Sequence, residues 1–136
     1  MNKRRLEKLA DHLERGKLGH ERFSFAVING DDNGNQLDVN GCGTCGCAVG
    51  ELPFVFPSLI GWRDGYPWWR REKTKFGASI GTMKFFDIER DAACHLFAPG
   101  WQLTQIYGGK LLGADATRKQ VAANIRAFIA KMEGER

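Results

Sequence analysis

Leu6, Leu9 and Leu13 recur at helical spacing, and charged residues fill the other faces. One narrow apolar stripe predicts a helix over residues 2–18 that docks by a single side, with Gly19 as its stop. The pattern then changes. Phe23-Ser24-Phe25-Ala26-Val27-Ile28 is an aromatic and β-branched run that predicts a short strand. Residues 29–43 are polar and glycine-rich, a loop by every local signal. Thr44 is a candidate N-cap, which places Cys45 and Cys47 in the first turn of a short helix that must end by Pro53. Residues 52–62 are apolar but hold Pro53 and Pro57, predicting an irregular buried corner, and residues 64–74 are turn-rich and basic.

The second half reads as helices. Ile80, Met83 and Phe86 share one side of a helix over residues 78–86. Asp87 can cap a second helix over 88–97, which Pro99-Gly100 halts. Residues 102–107 suit a second short strand. Thr117 and Gln120 form a capping box, after which Val121, Ile125, Phe128, Ile129 and Met132 lie on one helical face. The expectation is a mainly α chain, α+β with at most a small two-stranded sheet, forming a single compact domain over residues 1–136.

Size agrees with that. A chain of 136 residues folds from roughly 22,000 Å² of accessible surface to about 7,000 Å², enough burial for a core without disulfide or metal. A hydrophobic content of 43% and a charged content of 26% exclude disordered, collagen-like and coiled-coil classes. No apolar run approaches the ~18 residues of a membrane helix. The basic start at Met1 to Arg5 lacks a following apolar region, so no export signal is read and a small soluble cytoplasmic protein is expected. The net charge of +4 conceals a partition. Residues 23–62 hold Asp31, Asp32, Asp38 and Glu51 and no Lys or Arg, a net of −4, while the remainder has 20 basic against 12 acidic residues, a net of +8.

Candidate chemistry concentrates in two places. Cys42-Gly43-Thr44-Cys45 matches half of a zinc knuckle, which Cys47 with Cys94 or His95 could complete, but no second C-x-x-C or H-x-x-x-H exists. The same spacing serves thiol–disulfide exchange, and His12, His20 or His95 could in principle activate a thiol. Reduced, unligated and partly buried thiols are the favoured reading of these cysteines. Asn29-x-Asp31-x-Asn33-Gly34 imitates a calcium loop, yet Asn40 stands where such a loop needs glutamate. No metal, cofactor or catalytic residue is therefore assigned, and without paired carboxylates, phosphate loop or nucleophile elbow the chain reads as no enzyme.

The other place is residues 62–76, with three of the four tryptophans and five basic side chains. Interleaved aromatics and cations are what a protein hot spot or a nucleic-acid groove presents. The bland alternative puts the tryptophans in the core and the cations on a solvated loop. The leading expectation is a non-catalytic domain that binds a protein partner through Trp62, Arg63, Trp68, Trp69, Arg70 and Arg71. One alternative is a zinc-stabilised module on Cys42, Cys45, Cys47 and Cys94. Another is nucleic-acid binding by the same segment, which no helix-turn-helix, RNP or KH signature supports.

The stretch Cys42-Gly43-Thr44-Cys45-Gly46-Cys47-Ala48-Val49-Gly50, with Phe85-Phe86, His95-Leu96-Phe97 and the helix from Val121 to Ile129, is similar to a family of small uncharacterised bacterial and phage proteins. The resemblance covers roughly residues 38–130. Its cysteines are those matching Cys42 and Cys47, with another residue usual at Cys45, which weighs against a shared three-cysteine site. It implies a mainly helical fold and a bacterial or phage setting, and no reaction.

Overall fold

Asn2 accepts a hydrogen bond from the Arg5 amide at 3.2 Å and so starts α1 (Lys3–Arg15), whose Leu6, Leu9, Ala10 and Leu13 are fully buried. A computed structural model describes residues 1–25, 28, 30, 36, 45–76, 79–98 and 103–134. α1 ends at Gly16, not Gly19, because Gly16 takes the left-handed conformation (φ 79°) that closes a helix. Arg118 donates to the carbonyls of Leu13 and Glu14, which satisfies the last turn.

The next two elements are strands. β1 (Arg22–Phe23) pairs in parallel with β2 (Cys45–Gly46). Of the expected strand over 23–28, Phe23 lies in β1 and Ser24, Phe25 and Ile28 lie outside it, while residues 26 and 27 fall outside the described residues; Cys45 lies in a strand where a helix start was expected. α2 (Leu52–Val55) is a single turn with Pro53 tolerated in its first positions.

A three-stranded antiparallel meander follows: β3 (Ile60–Arg63), β4 (Tyr66–Trp69) and β5 (Thr74–Lys75). The irregular corner and basic turn expected here are corrected by Asp64-Gly65, whose positive φ values of 54° and 83° form the tight turn that a right-twisted hairpin needs. The sheet also exceeds the two-stranded limit set from the sequence. Among the described residues helix accounts for 48% and strand for 14%, an α+β architecture.

α3 (Ser79–Phe86) and α4 (Arg90–Phe97) form close to where expected. Asp87 does not cap α4; its own backbone is left-handed (φ 53°) and Glu89 takes the cap position. The strand expected over 102–107 is replaced by the helical turn α5 (Thr104–Tyr107). α6 (Arg118–Gly134) carries the capping box as read, with the Thr117 amide donating to Gln120 at 2.9 Å and the Gln120 amide to Thr117 at 3.2 Å.

α6 packs along α1, and one apolar cluster runs from Leu6 through Phe56, Trp69, Phe85 and Phe86 to Ile129. Phe85 sits at its centre, in edge-to-face contact with Phe56, Trp69, Phe76 and Phe86 at 5.0–5.5 Å. The accessible surface of 7320 Å² matches the ~7,000 Å² expected of a chain this size. No helix among the described residues is long and apolar enough to cross a membrane.

Candidate functional site

Strand alternation divides the tryptophan-rich segment between two faces. Register pairs Ile60 with Trp69 and Trp62 with Pro67, and these residues form the inner face. Trp69 is buried against Phe76 and Phe85 as a core residue, so it is not available as a partner anchor. Trp62 is half-buried, its ring meeting His20 at 6.2 Å and Phe54 at 6.0 Å. Gly61, Arg63, Tyr66, Trp68 and Lys75 form the outer face. The core reading of the tryptophans therefore holds for Trp69, while Trp62 and Trp68 are half-buried on opposite faces.

On the outer face the Arg63 guanidinium lies 4.5 Å over Trp68 and the Lys75 ammonium 4.8 Å over Tyr66. Arg70 runs across Gly61, where a Cβ would come within 2.9 Å of its guanidinium, and donates to the Pro57 carbonyl at 2.8 Å. Among the described residues, none of Arg63, Arg70, Arg71, Lys73 and Lys75 pairs with a carboxylate. In the helical layer Arg126 pairs with Asp11 and Glu14, and Lys3 with Glu7 and Glu133, while Lys8 and Arg15 pair with no carboxylate among the described residues. Five cations against Asp64 and Glu72 leave residues 63–75 with a net charge of +3.

The cysteines separate as well. Cys47 is buried, and burial pushes its thiol up to about 11, the opposite of a thiolate activated at a helix start. Cys94 is half-buried on α4. Cys42 lies outside the described residues, as do Asn29, Asp31, Asn33, Gly34 and Asn40 of the calcium-like run. Among the described residues no group of three or more His, Cys, Asp or Glu is placed to hold a metal ion. His95 is buried with its Nδ1 accepting from the Leu103 amide at 2.9 Å and its Nε2 donating to the Gly108 carbonyl at 3.1 Å, a structural histidine that burial keeps neutral.

Sequence reasoning missed one cluster. Glu51 is fully buried, yet its carboxylate accepts from His12 Nε2 at 2.8 Å, the Gly19 amide at 2.7 Å, the His20 amide at 3.1 Å and His20 Nδ1 at 2.5 Å. Burial alone would raise its pKa; the donors from His12, His20 and Gly19 overcome that and hold it at about 2. Glu51 is thus an ionised carboxylate that joins α1, residues 19–20 and the start of α2. It also orients both rings, since each must present an N–H to it. Partners 39 and 31 residues away in the chain leave no spacing to find.

No protein-family model, curated protein or solved structure matches the chain.

Proposed function

We propose that this protein is a non-catalytic binding domain whose outer sheet face docks an acidic segment of a partner protein. The observation that carries the reading is the row of cations over β3–β5 with no carboxylate partner among the described residues, two of which, Arg63 and Lys75, lie over the Trp68 and Tyr66 rings of the same face. Uncompensated charge of one sign steers an oppositely charged partner and contributes little to the fold itself. Arg63 and Trp68, stacked on each other, are the central anchors. Arg70, Arg71 and Lys75 surround them. Arg and Trp are the side chains that carry most energy in protein interfaces. Trp62 and Trp69, on the inner face, keep the sheet in place and take no part in contact.

A polypeptide is favoured over nucleic acid because the ring faces a base would stack on are already covered by Arg63 and Lys75. Titration with poly-L-glutamate and with single-stranded oligothymidine at low salt tests the reading. Saturable, salt-sensitive binding of the acidic polypeptide, weakened about tenfold or more in Arg63→Ala/Trp68→Ala, is expected. Tighter binding of the oligonucleotide would transfer the face to nucleic acid. Binding of neither, or binding unchanged in the folded double variant, removes the proposal.

A further inference from the structure

α1 and α2 enclose a cleft of about 320 Å³ lined by Lys8, Asp11, His12, Arg15, Phe54 and Val55. Its two walls differ in character. α2 supplies the apolar wall, and Lys8, His12 and Arg15, at i, i+4 and i+7, share one face of α1 as the polar wall. Asp11 is engaged by Arg126, so its charge is already answered. Arg15 has no carboxylate partner among the described residues, and the Lys8 ammonium rests 5.2 Å over the Phe56 ring.

Two details set this cleft apart from an ordinary surface groove. The first is His12. Its Nε2 donates to the ionised carboxylate of Glu51, so the ring is fixed in place with the proton on that nitrogen. Among the described residues its other nitrogen, Nδ1, has no partner, although the side chain is only 19% exposed and lines the cleft. The second is Phe54, which is 39% exposed where most large apolar side chains are covered. Its ring lies on Gly19, where a Cβ would come within 2.2 Å, and meets the His20 and Trp62 rings edge to face at 5.7 and 6.0 Å. It is a fixed flat platform and loses little freedom when covered.

We propose that this cleft binds a small phosphate monoester with a flat body, its phosphate against Lys8, His12 Nδ1 and Arg15 and its body on Phe54. A phosphate monoanion gives charged oxygens to Lys8 and Arg15 and an O–H to His12 Nδ1, an acceptor while Nε2 donates to Glu51, whereas a carboxylate has no O–H to give. Phosphate also changes protonation near neutral pH. The C-terminal end of α1 is unfavourable for an anion, but Arg118 on the Leu13 and Glu14 carbonyls offsets it.

Calorimetric titration of the full chain with adenosine 5′-monophosphate, inorganic phosphate and adenosine tests this. The nucleotide should bind saturably, phosphate alone more weakly, and adenosine not measurably. Arg15→Ala and His12→Gln should each weaken the nucleotide about tenfold, the loss of one charge-assisted contact, while Lys131→Ala, at an exposed position of α6, leaves it unchanged. An amide NMR spectrum establishes that His12→Gln is folded; if it is not, exposed Arg15 decides alone. No saturable binding of nucleotide or phosphate, wild-type affinity in Arg15→Ala, or adenosine binding as well as its phosphate overturns the site. Phosphate binding as tightly as the nucleotide overturns the role of Phe54.

Discussion

Replacing Glu51 by Gln tests whether one buried carboxylate joins three parts of the fold. The change keeps the shape but removes the charge and turns one acceptor oxygen into an NH2 facing donors from His12, Gly19 or His20. Its pKa falls from 4.5 when unperturbed to about 2 in the fold. That lowering corresponds to stabilisation on the order of 3 kcal/mol. A depressed carboxylate contributes fully above its unfolded pKa and loses the contribution as pH falls toward the folded one. The stabilisation is therefore complete at pH 7, fades below about 4.5 and is gone near 2. Urea unfolding of wild type and Glu51→Gln, repeated from pH 7 to 2, isolates the group because both proteins share every other carboxylate. The variant should be less stable by about 3 kcal/mol at pH 7, a large part of a typical domain's 5–15 kcal/mol. The difference should close between pH 4.5 and 2. A loss under about 1 kcal/mol at pH 7, or a difference that stays constant into acid, refutes the argument.

Three further outcomes follow from the packing. Trp69→Ala should cost about 3–5 kcal/mol in denaturant unfolding, as for other buried aromatics, whereas Trp68→Ala on the outer face should cost about 1 kcal/mol or less; equal losses would refute the face assignment. Gly50→Ala should destabilise by about 3 kcal/mol, because the new Cβ would lie 1.8 Å from the Ile28 carbonyl oxygen; a raised melting temperature would contradict that contact. Cys47, buried and with its thiol pushed up to about 11, should resist iodoacetamide at neutral pH in native protein and react after unfolding, as read by peptide mass. Rapid native labelling at Cys47 would show that it is not enclosed.

The helical layer was legible because its signals are local. Thr117, Gln120 and the five same-face apolar residues of α6 lie within a few turns of one another, and the structure holds them as read. α1 was legible except at its end, where Gly16 supplies the left-handed stop and Gly19 is required instead by the Phe54 ring. The meander had one local signal, Asp64-Gly65, but Pro57, Pro67 and the surrounding cations made the segment read as a turn-rich loop. Pro67 fits because it pairs with Trp62 while its carbonyl accepts from the Phe76 amide at 3.0 Å.

By residue order alone, the positions of α1, α3, α4 and α6, the cysteine-bearing acidic stretch and the cluster of aromatics and cations were determined, since periodicity, capping and composition are properties of neighbours. Which tryptophan is core and which is surface was decided only by strand pairing, because adjacent strand residues point to opposite faces and the register needs both strands. The same holds for the Glu51 cluster. A carboxylate with four donors requires His12, Gly19 and His20 to be brought to it by the docking of α1 on α2, and no spacing along the chain records that meeting.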